Sequence, residues 1–415
     1  MAEGKGIYSI FQSDIDLLTL FLGFTISSAI VFYVSNNKIN LEKLVGIGIS
    51  FIAIGALILT FLFFIIPLFF NNNFLFPKNH NSLFHHIYLL ITFCVVMSIT
   101  VLSSVFQGKS QFKVLNFITI FNSIINLIVY GILFYLKEFK NYNISINFIL
   151  IVTASVHTLN LTLWLLFYKK YINIVPRFNF SYESEIKPLF IFITIGHIAH
   201  MVNFLTYKMD FWIVEHYNGS KELGYYSQAV GFSQMFWSIT NPIIIVLTPY
   251  LTSKTNENAI ESFKFFSRVN FTLIFILVLI AFSICGFIFP LYGQEFEHSV
   301  IPFRILSLSI IMSCITKIFA VYIYANNKIV YNLIAASVAF VTTLAADLIL
   351  IPRYGMMGAS IATTISYTTL TAMVSYFLFF KMKVDHKNLF FLKTSDYSAI
   401  FNRLKTSLVQ SKNEK

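Results

Sequence analysis

Charged residues are scarce in this chain. Only 11% of its 415 residues are Asp, Glu, Lys or Arg, whereas 57% are hydrophobic and the mean hydropathy is +0.74. Soluble globular domains carry about 25% charged residues. Because no water-soluble fold can bury so much apolar surface, the scarcity excludes an ordinary soluble protein, and the 48 Phe residues exclude a disordered chain.

The sequence also lacks the short motifs of soluble catalysis. It has no P-loop, no HExxH, no pair of CxxC and no GxSxG, which disfavours nucleotide-driven transport and a conventional soluble active site.

Its three cysteines all fall inside apolar runs: Cys94, Cys285 and Cys314. We expect them to be small buried side chains and not a disulfide framework or a metal site. Residues 1–13 lack the basic region and the small-residue cleavage site of a signal peptide, so we expect the first apolar run to be retained.

Long apolar runs dominate what remains. A helix needs about 20 apolar residues to cross a hydrocarbon layer of about 30 Å. Eleven runs meet this length, at about residues 14–34, 44–70, 83–106, 112–136, 146–168, 188–214, 224–250, 268–291, 300–324, 330–351 and 357–381. The sequence therefore predicts an all-α integral membrane protein with about eleven spans.

The formal charge of +11 is distributed unevenly across the membrane. Of the 29 Lys and Arg residues, 20 fall on one side of the predicted topology and 8 on the other, and Lys317 lies within a span. Cytoplasmic loops carry the excess of basic residues, so the C-terminus is predicted to be cytoplasmic and the N-terminus external. The positive charge thus reflects topology, and no nucleic-acid partner is expected.

Two pairs of short segments indicate an internal repeat. Gly224–Ser227 resembles Gly6–Ser9 at an offset of 218 residues, and 324–328 resembles 106–109 at nearly the same offset. Two six-helix bundles repeated in one orientation would give twelve helices. The counterpart of the span at 188–214 would precede residue 1, so we expect the first bundle to lack its leading helix, through either a start codon placed too late or a truncated gene. The predicted regions are a bundle at 1–170, a cytoplasmic linker at 171–187, a six-helix bundle at 188–382 and a basic tail at 383–415.

Three segments resemble a known family. The stretch Leu350–Tyr367, LIPRYGMMGASIATTISY, resembles the penultimate-loop signature of bacterial polysaccharide-unit flippases. Lys208–Asp210 followed by Glu222–Ser227 is similar to the seventh-helix segment of that family, and Gly4–Ser9 is similar to its counterpart after the first helix. This Wzx-like family is a branch of the MOP exporter superfamily and is related to the MATE exporters. The resemblance covers roughly residues 4 to 382.

The resemblance implies a fold and a function. It implies two MATE-like helical bundles in the inner membrane of a bacterium that flip a polyprenyl-diphosphate-linked oligosaccharide by alternating access, for O-antigen or capsule. It implies a transporter and not an enzyme, with no cofactor beyond a coupling ion, H⁺ or Na⁺, and with the polysaccharide polymerase or export machinery as a further partner. Two alternatives stay open: a MATE-like small-molecule exporter, and a membrane-embedded sugar polymerase or acyltransferase.

Polar side chains inside the spans are the candidate site residues, because ionisable groups in lipid usually face a bundle interior or a water-filled cavity. In the span at 188–214, one helical face of about 140° carries most of them: His197, His200, Asn203, Tyr207 and Asp210. Lys208, Arg304, Lys317 and Asp347 complete the candidates for the substrate cavity and ion coupling. No third ligand at suitable spacing accompanies the two histidines, so no metal site is expected.

Three residues of the signature have a structural interpretation. Pro352 is expected to end the tenth span because proline cannot continue a helix. Gly355 and Gly358 begin small-xxx-small pairs that let a helix approach its neighbour closely. A further bend is expected at Asn241-Pro242 in the seventh span.

Overall fold

The computed structural model describes residues 2–23, 26–35, 40–65, 80–140, 142–178, 187–252, 259–326 and 328–396. Within these ranges the chain is almost wholly helical and contains no strand. The prediction of an all-α membrane protein is therefore confirmed. The helices are α1 Ala2–Gly23, α2 Ile26–Ser35, α3 Leu41–Thr60, α4 Leu83–Gly108, α5 Phe112–Lys140, α6 Ile146–Tyr171, α7 Lys187–Gln234, α8 Trp237–Thr252, α9 Ala259–Ile288, α10 Val300–Ala325 and α11 Ile329–Tyr376.

Eight helical segments in the described ranges are long and apolar enough to cross a membrane. Two of them are far longer than one span requires, with 49 residues in His200–Thr248 and 53 in Ile329–Lys381. Each contains a glycine with non-helical backbone angles, Gly219 in α7 and Gly355 in α11. Since each long segment therefore holds two spans, the count is compatible with the eleven predicted from the sequence. The first predicted span is made of α1 and α2, and its helix begins earlier than expected, at Ala2.

The chain separates into two compact units. We call residues 7–204 the N-terminal unit, and residues 2–6 together with 205–415 the C-terminal unit, of which the described part ends at 396. The core of the N-terminal unit is rich in aromatic side chains from α1, α4 and α6. In it Phe11 stacks on His85, with ring centroids 5.2 Å apart, and Phe106 packs against Trp164 at 5.5 Å. Aromatic packing of this kind adds to the burial of apolar area.

The core of the C-terminal unit combines apolar packing with interhelical hydrogen bonds. Thr240 on α8 donates to the Asn270 side chain on α9 at 2.9 Å, and Asn270 donates to the Cys314 carbonyl on α10 at 3.2 Å. The hydroxyls of Thr316 and Thr371 join α10 to α11 at 2.7 Å. Because lipid tails offer no partners to polar groups, such bonds hold membrane helices together where apolar packing alone gives little preference.

Two glycines of the repeat lie at a close contact between α1 and α7 within the C-terminal unit. Gly6 of α1 faces the backbone of α7, and Gly224 of α7 faces the backbone of α1. A Cβ atom on Gly6 would lie 1.7 Å from the Ser220 carbonyl oxygen, and one on Gly224 would lie 1.9 Å from the Ala2 carbonyl oxygen. Gly6 with Gly224, and Ala2 with Ser220, are the pairs related by the 218-residue offset. The backbones approach too closely at both positions for a side chain to fit, which explains why both residues are glycine.

One expected helix end lies elsewhere in the structure. Helix α11 continues through Pro352 and breaks three residues later at Gly355, where φ is +55°. Helix α8 includes Pro242, and the break in that region is at 235–236, between α7 and α8. The prediction that the tenth span ends at Pro352 is therefore wrong by three residues, whereas the bend expected at Asn241-Pro242 stays a prediction. A proline disturbs the hydrogen bond and the carbonyl one turn before it, and the backbone yields where a glycine or a turn allows it.

Candidate substrate and ion site

Asp210 lies at the centre of a buried polar cluster in the C-terminal unit. Its side chain is 4% exposed, and it accepts a short hydrogen bond from the Tyr226 hydroxyl, both residues being on α7 but on opposite sides of its break at Gly219. Thr363 on α11 lies 2.9 Å from the Tyr226 hydroxyl and 3.4 Å from Oδ2 of Asp210. The other oxygen, Oδ1, has no hydrogen-bond partner among the described residues. The cluster thus contains a carboxylate oxygen that can still accept a hydrogen bond or coordinate a cation.

Asp347 on α11 is a second carboxylate beside this cluster. It is fully buried, and neither of its oxygens has a hydrogen-bond partner within the described ranges. It lies within electrostatic range of Asp210. A buried charge without a partner is unfavourable by several kcal/mol, so a proton or a cation bound between the two carboxylates would be stabilising.

The chemistry of these donors suits a hard cation or a proton. Carboxylate and hydroxyl oxygens favour hard cations, whereas soft or borderline metals select sulfur and imidazole ligands. In the part of the chain that the structure describes, no group of three or more His, Cys, Asp or Glu side chains could hold a metal ion.

A small cleft in the C-terminal unit adjoins the Asp210 cluster. Thr363 contributes to its wall, so the cleft adjoins the hydroxyl that contacts Asp210. The wall mixes hydroxyl, amide, aromatic and aliphatic side chains, including Ser233, Gln234, Trp237, Ser309, Ser313, Thr363 and Tyr367. Polar groups among apolar ones are typical of sites that orient a ligand.

Lys317 on α10 lies beside the same cleft. Its Nζ is 4.6 Å from the centroid of the Trp237 ring and 3.4 Å from Oδ1 of Asn241, which places the cation over an aromatic face. Trp237 in turn donates from Nε1 to the Ser313 hydroxyl at 3.0 Å. The ammonium is therefore held by a weak and exchangeable set of contacts, with no acidic partner among the described residues.

Tyrosines connect the two parts of the site. The ring of Tyr207 on α7 lies 5.5 Å from that of Trp237 and 5.4 Å from that of Tyr367. Trp237, which lies under Lys317, and Tyr367 line the same cleft as Thr363. Asp210, Lys317 and Asp347, three of the residues singled out from the sequence, thus lie in one region of one unit.

The remaining candidates differ in position. Lys208 lies over the Phe211 ring at 4.7 Å and within electrostatic range of Asp210. Arg304 is exposed, with its guanidinium 5.4 Å from the Phe282 ring. The other three belong to the N-terminal unit: His197 is buried, His200 exposed and Asn203 half-buried.

The glycines of the signature have close neighbours. A Cβ atom on Gly355 would lie 2.3 Å from Oε2 of Glu222, and that oxygen accepts the Met356 N–H at 3.1 Å. A Cβ atom on Gly358 would lie 2.2 Å from the Leu350 carbonyl oxygen. Glu222 therefore caps the helix that resumes after Gly355, and it joins the two segments that carried the family resemblance.

Four functional candidates were missed from the sequence: Tyr226, Thr363, Trp237 and Glu222. Hydropathy gives aromatic and hydroxyl side chains little weight, so a search for ionisable residues passes over the first three. A signal was available for three of the four, since Glu222 and Tyr226 belong to the segment 222–227 and Thr363 to the segment 350–367.

The fold is shared with known transporters. The chain aligns with an inward-facing multidrug resistance MATE family transporter of the MOP superfamily at a TM-score of 0.73, covering 92% of this chain and 91% of that one at 13% identity. It aligns with the lipid II flippase MurJ in an inward closed conformation at a TM-score of 0.65, covering 94% and 87% at 14% identity. These likenesses define the class as an MOP-type membrane fold.

The sequence comparison identifies the family. Residues 2–256 match the model of the polysaccharide biosynthesis protein family, Polysacc_synt, and the chain belongs to that family. A relative is the capsular polysaccharide biosynthesis protein CapF of Staphylococcus aureus, 24% identical over 282 residues that cover 67% of this chain and 69% of CapF. The family resemblance and the MOP-like fold predicted from the sequence are therefore confirmed.

Proposed function

We propose that this protein is a flippase, not an enzyme, and that it moves a polyprenyl-diphosphate-linked oligosaccharide across a bacterial inner membrane for capsule or O-antigen. The observation that carries the proposal is the presence, in one unit of an MOP-type fold, of a half-buried lysine and two buried, incompletely bonded carboxylates. Membership in the polysaccharide biosynthesis family and the relative named for capsular polysaccharide support the substrate class.

The chemistry of the substrate matches the site. A diphosphate is negatively charged at neutral pH, and Lys317 offers a cation whose contacts with Trp237 and Asn241 are readily exchanged for phosphate oxygens. A contact between unit charges at 4 Å is worth about 4 kcal/mol at an effective dielectric of about 20, before desolvation. Sugar hydroxyls can bond to the polar wall of the cleft, while the polyprenyl chain stays in lipid.

Energy would come from an ion gradient. The chain has no P-loop, and Asp210 and Asp347 provide buried oxygen sites for H⁺ or Na⁺. Binding of the ion would neutralise the pair in one conformation, and its release on the other side would restore the charge. Rocking of two repeated bundles is the usual way in which such transporters alternate access. The basic loops favour a cytoplasmic C-terminus.

Substitution of Lys317 tests the cationic part of the proposal. Lys317→Gln keeps the length of the side chain but removes its charge, so surface polysaccharide in a complementation assay should fall, whereas Lys317→Arg should retain a substantial part of it. Lys328→Gln, the loss of another lysine just beyond the same helix, is the matched control and should support normal levels. Full activity of Lys317→Gln at normal membrane abundance would refute the role of Lys317 in transport.

Deletion of the gene in the source organism distinguishes a flippase from a polymerase. Loss of a flippase should leave lipid-linked repeat units on the cytoplasmic face, and surface polysaccharide should disappear. Accumulation of single exported units would indicate a polymerase instead. Unchanged polysaccharide together with increased sensitivity to toxic small molecules would indicate a MATE-like exporter.

A further inference from the structure

The segment that follows the last helix is bound to α9. We call residues 382–396 the tail strap. Arg268 on α9 donates from Nε to Oδ2 of Asp396 at 2.6 Å and from Nη2 to Oδ1 at 2.7 Å. A third donor, Nη1, bonds to the Asn388 carbonyl at 3.0 Å. Arg268 is 4% exposed and Asp396 is 5% exposed, so this is a buried two-point ion pair that fixes the strap at its far end.

Further contacts fix the strap along its length. Ser267 donates to the Leu389 carbonyl at 2.9 Å, and the Leu392 N–H donates to the Thr272 hydroxyl at 3.1 Å. Val384 and Leu389 are buried in the core of the C-terminal unit. The sequence suggested that a polar tail begins at residue 383, but its first part is a docked segment with one buried side and one exposed side.

The acidic residues of the strap are already occupied by cations of α9. Asp396 pairs with Arg268, and Asp385 lies 3.7 Å from Nζ of Lys264. The hydrogen bonds from Arg268 lower the pKa of Asp396 below its usual value, and the bond from the Lys387 N–H, with Lys264 nearby, lowers the pKa of Asp385. Both carboxylates are therefore ionised and compensated at neutral pH.

The basic residues of this region form no ion pair of this kind with a described residue, although Lys387 and Lys393 lie within electrostatic range of Asp385 and Asp396. Four lysines at the end of the last span and on the strap are exposed, and none forms an ion pair with another described residue: Lys381, Lys383, Lys387 and Lys393. Exposed phenylalanines alternate with them, since Phe380 is 72% exposed, Phe391 58% and Phe390 37%. Phe390 and Phe391 are held in place by Phe271, with ring centroids 5.3 Å and 5.0 Å away.

We propose that the exposed side of the tail strap binds the anionic headgroups of membrane lipids, with its phenylalanine rings at the boundary with the acyl chains. The strap directly continues the span Ile329–Lys381, which places it at the membrane surface. Clusters of lysine next to a span attract anionic lipids, and aromatic rings favour the interfacial layer. An acidic protein would account for the lysines, but it would not account for the phenylalanines beside a membrane span.

A lipid-preference measurement tests the proposal on the full-length protein. The protein is reconstituted in phosphatidylcholine with trace spin-labelled phosphatidylglycerol or phosphatidylcholine, and the motionally restricted fraction of each probe is compared. The wild type should prefer phosphatidylglycerol. Lys383→Gln/Lys387→Gln/Lys393→Gln should lose half or more of that preference, and so should the wild type at high salt, since salt screens exposed charges.

A second triple variant controls for the net charge. Lys109→Gln/Lys113→Gln/Lys169→Gln removes three exposed lysines from other helix ends and should keep the preference. An equal loss in both triple variants would overturn the proposal, because charge number alone would then explain the binding. The proposal would also be overturned if the strap variant kept the lipid preference of the wild type. If that variant nevertheless lowered surface polysaccharide in cells, the lysines would be assigned to binding an acidic protein. None of these measurements depends on transport.

Discussion

The C-terminal unit contains two kinds of buried carboxylate, and they differ in how well they are paired. Asp396 on the tail strap receives two hydrogen bonds from Arg268 and one from the Lys393 N–H, so its charge is fully compensated. Asp347 on α11 is at least as deeply buried, yet neither of its oxygens has a hydrogen-bond partner among the described residues. One acid is therefore suited to hold the structure, and the other is suited to bind an exchangeable ion.

Asp210 is intermediate between the two. Tyr226 and Thr363 bond to one of its oxygens, and no described residue bonds to the other. The difference teaches that burial alone does not mark a functional acid in a membrane protein. Structural and functional buried carboxylates differ in whether hydrogen bonds and ion pairs within the protein compensate the charge. A compensated carboxylate stabilises the fold, whereas an uncompensated carboxylate is stabilised by binding a proton or a cation.

The largest expected effect is on stability, from breaking the compensated pair. Asp396→Ala leaves Arg268 buried and unpaired, which typically destabilises a protein by about 3–5 kcal/mol. Membrane abundance and the midpoint of thermal unfolding in detergent should both fall. Asp385→Asn is the matched control on the same strap, and it should change little, since exposed ion pairs contribute about 0–1 kcal/mol. Equal stability of the two variants would show that the buried ion pair of Asp396 contributes no more to folding than the exposed pair of Asp385.

The opposite pattern is expected at the uncompensated acid. Asp347→Asn removes a buried charge that has no partner, so abundance and thermal stability should be unchanged or higher. Surface polysaccharide in a complementation assay should nevertheless be lost. A fall in stability as large as that of Asp396→Ala would show that Asp347 is structural.

A smaller effect is expected from the hydroxyl that bonds to Asp210. Tyr226→Phe keeps the ring that packs against Phe211 at 5.7 Å but removes the donor. Transport should fall by about tenfold or more while abundance is kept, because hydrogen bonds to charged groups are worth about 1.5–3 kcal/mol and about 1.4 kcal/mol is a factor of ten in rate. Tyr225→Phe, the same change at the preceding residue, is the control and should transport normally. Equal transport by both variants would place Tyr226 outside the mechanism.

The smallest effect concerns pH and the strap. Arg268 lowers the pKa of Asp396, so the pair contributes stability at pH values above the usual Asp pKa of about 3.9 and loses it as the pH falls through the lowered value. Hydrogen exchange at the Leu392 amide should therefore be equally protected at pH 7 and pH 5, after correction for the intrinsic exchange rate. Loss of protection between these values would show that the pair is weaker than its geometry indicates.

The sequence was sufficient for the class and the fold, and for three of the charged residues of the site. Apolar runs predict membrane helices because hydrocarbon leaves a backbone no other means of satisfying its hydrogen bonds. For the same reason an ionisable residue within a run, such as Asp210, Lys317 or Asp347, is conspicuous. The membrane helices and the ionisable residues within them can therefore be predicted from the local sequence pattern.

Pairings between distant residues could not be predicted in this way. Arg268 and Asp396 are 128 positions apart, and Asp210 and Thr363 are 153 apart. In the strap, Val384 and Leu389 are isolated apolar residues in a polar stretch, so hydropathy suggests a free tail. Which polar groups meet depends on how the helices pack, and a single sequence does not contain the register of that packing.

The most direct test of the account is gradient-driven flipping by Asp347→Asn in proteoliposomes. A fluorescent polyprenyl-diphosphate oligosaccharide serves as substrate, and its rate of translocation is measured with and without an imposed H⁺ or Na⁺ gradient. We expect one of these gradients to accelerate the wild type and neither to accelerate the variant, although the variant unfolds at the same temperature or higher. Equal acceleration of the two proteins would contradict the claim that the unpaired carboxylate couples the ion to transport.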